Sequence, residues 1–237
     1  EKIYENAIKI FGDKTFYQID TTGKIDMNLG YNNFPKLSPD NKLICWLSME
    51  RDGYESDINK LYIYNFETKE KFFITEGLDT FINSFCWGLD NKTIYFSAVW
   101  EGAYQIYKSD IINRKVEKIT NEISDFNNLI VLDNEHLLAT KCTMLKPNDL
   151  YKINIKTKDI NQISFINKET LNSLKKVKIE KRMVETFDKK SMLCWVLYPP
   201  DFDPSKKYPT ILHCQWGPQC AVCQYSMNFY LIASHGY

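Results

Sequence analysis

No run of apolar residues in this chain approaches the roughly 18 positions that a membrane-spanning helix requires, so a bilayer span is not expected. Net charge is also lacking. Thirty Lys and Arg balance thirty Asp and Glu across 237 residues, with no long basic run. That balance argues against nucleic acid or an anionic membrane surface as a partner. Histidine is scarce, with three in all, His136, His213 and His235. The seven cysteines are an odd number scattered through strand-like runs, and a chain this long needs no disulfide framework. They do not distinguish a periplasmic from a cytoplasmic setting. Cys45, Cys86 and Cys194 each precede a Trp, as packing residues do. An initiator Met and a signal peptide are both missing, and residue 1 falls inside a repeat, so a piece of a longer protein is expected.

What the chain has in quantity is aromatic and β-forming sequence. Tyr and Phe dominate an aromatic content of 14%, which suits sheets. One pattern occurs four times, starting at Phe16, Leu61, Ile106 and Leu150, at intervals of 45, 45 and 44 residues. Each copy has an alternating apolar and polar run, a polar turn, and a second alternating run that ends near Thr or Ser. Alternation is what a half-buried strand requires, because successive side chains point to opposite faces. A second hairpin repeats as well. Ser38-Pro39-Asp40-Asn41, Gly88-Leu89-Asp90-Asn91 and Leu132-Asp133-Asn134-Glu135 each lead into a further apolar run. Two hairpins recurring at this period predict four-stranded propeller blades. At about 45 residues each, residues 1–165 hold some three and a half of them.

Two regions depart from the repeat. Between Ser48 and Leu61 lies an insertion carrying Glu50, Arg51, Asp52 and Glu55, far longer than the equivalent link at 100–104. Long loops on rigid scaffolds carry binding residues, and charges in such loops also pair with one another; both readings stand. From residue 166 the period stops. A short polar helix is expected within 167–176, two extended runs at 177–186 and 192–198, and a Pro-rich crossing over 199–209. Residues 210–214 read as a short buried strand, 215–218 as a loop, and 225–234 as a helix stopped by Gly236. The fold class expected is mainly β: a partial β-propeller over 1–165, then a linker and the opening of an α/β-hydrolase domain over 166–237.

Two stretches resemble the prolyl oligopeptidase family of serine peptidases, in its bacterial dipeptidyl-peptidase and acylaminoacyl-peptidase-like branch. One runs from Ser38-Pro39-Asp40-Asn41-Lys42 through Met49-Glu50-Arg51-Asp52-Gly53-Tyr54-Glu55. The other runs from Leu197-Tyr198-Pro199-Pro200 through Tyr208-Pro209-Thr210 to Gln215-Trp216-Gly217-Pro218. The resemblance implies a propeller restricting access to a hydrolase domain with a Ser-Asp-His triad, acting on peptide substrates and needing no cofactor. It implies release of dipeptides or N-terminal residues from short peptides by acyl transfer.

The family's nucleophile sits in a Gly-x-Ser-x-Gly elbow, and this chain contains none. Asp and His follow Ser in α/β-hydrolases, so all three catalytic residues are expected beyond Tyr237, and structural roles for the three histidines. One catalytic element is expected within the chain. Gln215, Trp216 and Gly217 occupy the loop that supplies an oxyanion donor in relatives, although Trp216 stands where relatives usually carry Gly. A plain tight turn is the competing reading. Cys220 and Cys223 have Cys-x-x-Cys spacing, but no second pair completes a zinc site and no metal is expected. Glu50, Arg51, Asp52 and Glu55 are candidates for contact with the peptide, and an oligomer could form through the whole protein. The chain alone should be inactive. A stand-alone propeller serving as a binding scaffold is the alternative, and it has no need of residues 177–237.

Overall fold

The computed structural model describes residues 31–51, 53, 54, 56–214 and 225–237. The first repeat, at Phe16, lies outside them. Twelve strands form three four-stranded antiparallel meanders, here blades A, B and C. Blade A holds β1 (Asn32–Leu37), β2 (Leu43–Ser48), β3 (Lys60–Asn65) and β4 (Lys71–Phe73). Blade B holds β5 (Ile82–Trp87), β6 (Thr93–Trp100), β7 (Ala103–Asp110) and β8 (Val116–Lys118). Blade C holds β9 (Asp125–Val131), β10 (His136–Thr143), β11 (Lys146–Asn154) and β12 (Ile160–Gln162).

The repeated residues owe their recurrence to backbone groups that strands leave unpaired. Asn65, Asp110 and Asn154 end the third strand of each blade. Each side-chain oxygen accepts from the backbone N–H groups two and three residues on. Each turn then closes on a residue at positive φ, Lys69, Arg114 or Lys158, whose N–H donates to the backbone carbonyl of Asn65, Asp110 or Asn154. The Thr or Ser ending each repeat has an equally specific task. Thr75, Thr120 and Ser164 accept from the N–H of Leu61, Ile106 and Leu150 at 3.4, 2.9 and 2.8 Å. A hydroxyl thus replaces the ladder partner that the short fourth strand does not supply.

Strands β2 and β6 are buried along nearly their whole length and read as apolar runs, whereas β10 alternates between buried and half-buried positions. Along β2, Leu43, Cys45 and Leu47 face blade B, while Ile44 and Trp46 join Tyr64 on the opposite side. In β6, Ile94, Phe96 and Ala98 pack against blade A, and Tyr95 packs toward blade C. Phe126, Leu129, Leu137, Ala139 and Ile153 complete the seam between B and C. Polar contacts fix the stacking register. Trp87 Nε1 donates to Lys36 O at 2.9 Å, Ser109 Oγ to Ile74 O at 3.0 Å, and Asn83 Nδ2 to Asn127 Oδ1 at 2.8 Å. Burial pushes the Cys86 thiol up to about 12, as suits a packing residue.

After blade C come a short helix, α1 (Lys168–Ser173), and an antiparallel hairpin of β13 (Lys178–Glu185) and β14 (Ser191–Tyr198). The Pro-rich crossing is pinned by aromatic contacts, Tyr198 to Phe202 at 4.5 Å and Phe202 to Tyr208 at 5.0 Å. A last helix, α2 (Met227–Ser234), ends before Gly236 at φ +85°. One expectation is corrected. Residues 210–214 are not a buried strand but irregular, with Leu212 86% exposed. An extended run becomes a strand only when another strand takes up its N–H and C=O groups, and no strand among the described residues pairs with it.

Candidate functional site

The connections between second and third strands all lie at one end of the blades, because equivalent strands are stacked in register. In blade A this connection is the insertion, in blade B the two-residue turn Glu101-Gly102, and in blade C the turn Met144-Leu145. Two of the three carry the C-terminal segment. Glu101 forms an ion pair with Lys181 of β13, which holds its carboxyl below the usual carboxylate range. Gly102, at φ +82°, lies so close to β14 that an added Cβ would stand 2.5 Å from Leu193 Cδ2. On blade C, Met144 O accepts from the Ser226 N–H at 3.4 Å, and Leu145 O from the Tyr230 hydroxyl at 2.8 Å. The insertion of blade A is therefore on the face that meets the C-terminal segment.

Within the insertion, Arg51 is held by Asp57. Its Nε donates to Asp57 Oδ1 at 2.9 Å, its Nη2 to the same oxygen, and its backbone N–H to Asp57 Oδ2 at 2.7 Å. The guanidinium also stacks over the Tyr54 ring at 3.7 Å. Asp57 is buried, and the Arg51 hydrogen bonds hold its carboxyl below the usual range. Yet the Arg51 side chain stays 61% exposed, so a buried carboxylate anchors a presented cation. Glu50 pairs with Lys60 at 3.2 Å. Two of the four candidates thus pair with charges of their own loop. Asp52 and Glu55 lie outside the described residues, as do Gln215, Trp216 and Gly217 of the oxyanion-loop expectation and Cys220 and Cys223.

The histidines are placed apart. His136 Nδ1 lies 2.9 Å from Asp133 Oδ1 in a blade C turn, the His213 ring meets Phe229 edge-on, and His235 Nδ1 donates to Leu231 O at 2.7 Å. Sequence reasoning did not find Gly102, Asp125 or Tyr230. Glu-Gly between two apolar runs is a two-residue hairpin signal that marks the turn, though not what it touches. Asp125 opens β9, where its Oδ1 accepts from the Tyr104 N–H at 2.8 Å while Oδ2 is buried with no hydrogen-bond partner among the described residues. Burial pushes its carboxyl up to about 6, against the lowering effect of that N–H.

Fold and site together define a partial, unclosed β-propeller of four-stranded antiparallel blades whose strand-turn face carries the C-terminal segment. The comparisons with known proteins agree with that class. The chain is 38% identical over 212 residues to a dipeptidyl-peptidase 5 of Porphyromonas gingivalis, covering 88% of this chain and 31% of that protein. It is likewise 38% identical over 239 residues to a dipeptidyl-peptidase 5 of Porphyromonas endodontalis, covering 98% of this chain and 34% of that protein. The chain belongs to the prolyl oligopeptidase family, and it spans about a third of the length of these curated relatives. The solved Pyrococcus horikoshii acylaminoacyl peptidase superposes with a TM-score of 0.72 over 90% of this chain and 32% of that one, at 20% identity, a likeness of fold. No protein-family profile matches the chain.

Proposed function

We propose that this chain is the propeller part and hydrolase opening of a serine exopeptidase that releases dipeptides or N-terminal residues from short peptides. The observation that carries the reading is 38% identity to a dipeptidyl-peptidase 5 over 98% of the chain, which takes in blades, insertion and C-terminal segment alike. The boundary between the two parts is set at 165/166, where the blade repeat gives way to α1 and the hairpin. Hydrolysis proceeds by acyl transfer through a serine outside residues 1–237, with Gln215, Trp216 and Gly217 supplying the oxyanion donor. The blades limit substrate size, and the insertion with Glu50, Arg51, Asp52 and Glu55 borders the peptide. Its place on the face that meets the C-terminal segment supports that role.

This chain by itself lacks the route to an acyl-enzyme. Oxyanion donors lower a barrier only when a nucleophile attacks a carbonyl held beside them. Incubating the intact protein with chromogenic dipeptidyl substrates tests the reading. Release of the leaving group that stops on treatment with a serine-directed fluorophosphonate is the expected result, and release unaffected by it would refute the serine assignment. A scaffold would release nothing.

A further inference from the structure

Met144 and Leu145 are the two turn residues between β10 and β11, closed by the Thr143–Lys146 pair. The Thr143 hydroxyl holds the turn rigid by accepting from the Leu145 and Lys146 N–H groups at 3.3 and 3.1 Å. Carbonyls in such a turn point away from the ladder and need donor partners from elsewhere. Here both are taken by one segment, Met144 O by the Ser226 N–H and Leu145 O by the Tyr230 hydroxyl. Two residues earlier, the Cys142 sulfur accepts from the Tyr225 N–H. Three acceptors within four residues of blade C therefore capture three donors within six residues of the C-terminal segment. Met144 is buried at the contact, and Tyr230 is half-buried.

We propose that this turn is the seat that fixes where the hydrolase segment lies against the propeller, with Tyr230 as a positioning residue for the reaction. The inference rests on the peptidase reading above. Tyr225 directly follows residues 215–224, and Tyr230 lies within the helix that begins at Met227. A helix moves as a unit, so loss of its tether to Leu145 shifts the segment that follows the oxyanion-loop candidates. Donors that act on developing charge are sensitive to small displacements, whereas ground-state binding is much less so. Tyr230 acts through the segment it holds.

The test is Tyr230→Phe in the intact protein, which removes one hydroxyl and leaves the ring packed. Hydrogen exchange of the amides in 225–234 should quicken while that of blade strands β6 and β10 is unchanged. Exchange unchanged in 225–234 would overturn the seat whether or not the protein is a peptidase. Kinetics then test positioning. On a dipeptidyl substrate kcat should fall roughly three- to tenfold, the range spanned by one lost hydrogen bond, with KM held within about twofold. Affinity for a peptidyl boronate should fall by the same factor, and affinity for the product dipeptide should not change. An unaltered kcat, or an equal loss of boronate and product affinity, would overturn the positioning role. Absence of any hydrolysis by the wild-type protein would instead refute the peptidase reading.

Discussion

Tyr104 and Asp125 are joined across the seam between blades B and C: the Tyr104 N–H donates to Asp125 Oδ1 at 2.8 Å, and Asp125 Oδ2 is buried with no hydrogen-bond partner among the described residues. A carboxylate so placed is held against its preference, and its pKa rises from 3.8 to about 6. The folded state then keeps a proton that the unfolded state gives up. Stability from this group is greatest below the unfolded value and falls as pH rises from about 4 to about 6. The fall is on the order of 2–3 kcal/mol at most. Asp125→Asn should abolish it, so thermal midpoints of the intact variant and wild type should converge or cross as pH falls from 7 to 4. Parallel curves would contradict the assignment.

The repeat-ending hydroxyls give a second prediction. Thr120 Oγ1 accepts from the Ile106 N–H and donates to Gln105 Oε1, both at 2.9 Å, at a buried position. Thr120→Val keeps the shape and removes the acceptor of the buried Ile106 N–H, while Gln105 Oε1 keeps the Glu122 N–H at 3.0 Å. Denaturant titration of the intact protein should show about 1–3 kcal/mol lost. No loss would mean that the Thr or Ser of each repeat reflects strand preference rather than a backbone contact.

Gly102 gives a third. Its φ of +82° disfavours any Cβ, and the added atom would meet Leu193 Cδ2 at 2.5 Å. The Leu193 end can swing aside, so the backbone term dominates, at about 1–2 kcal/mol. Gly102→Ala should lower the thermal midpoint of the intact protein. Gly102→Asn should recover part of it, since Asn tolerates positive φ better. Equal midpoints for all three would contradict the positive-φ backbone strain assigned to this turn.

Much of the blade architecture was legible in the sequence because its causes are local. Asn65, Asp110 and Asn154 each close a turn within four residues, and Thr75, Thr120 and Ser164 each answer an N–H fourteen residues away in the same blade. The contacts that build the site are of another kind. Tyr230 reaches Leu145 across 85 residues, and Lys181 reaches Glu101 across 80. No spacing in one chain encodes such pairs. Residues 210–214 misled for the same reason: composition marked a strand, but a strand exists only with a neighbour to bond it. In the insertion, charge pairing and exposure are compatible, since Arg51 is anchored by Asp57 and its side chain still reaches solvent.

A fourth prediction concerns the 237-residue polypeptide on its own. Blade C and the residues just after it expose Ile130, Ile163, Phe165 and Ile166, and the C-terminal segment exposes Phe187 and Leu212. Apolar surface of this kind, with the outer edges of an open arc, favours association. Light scattering after size exclusion should show oligomers or aggregate. A monodisperse monomer with a cooperative thermal transition would contradict this.

The central claim is that this chain shapes and borders a serine peptidase site whose nucleophile is not among its residues. Labelling the intact protein with a fluorophosphonate and locating the adduct by peptide mass spectrometry tests it most directly. The account predicts one labelled serine, within a Gly-x-Ser-x-Gly sequence outside residues 1–237, with loss of dipeptide release in proportion to labelling. An adduct on a serine within residues 1–237, or dipeptide release that survives complete labelling, would contradict it.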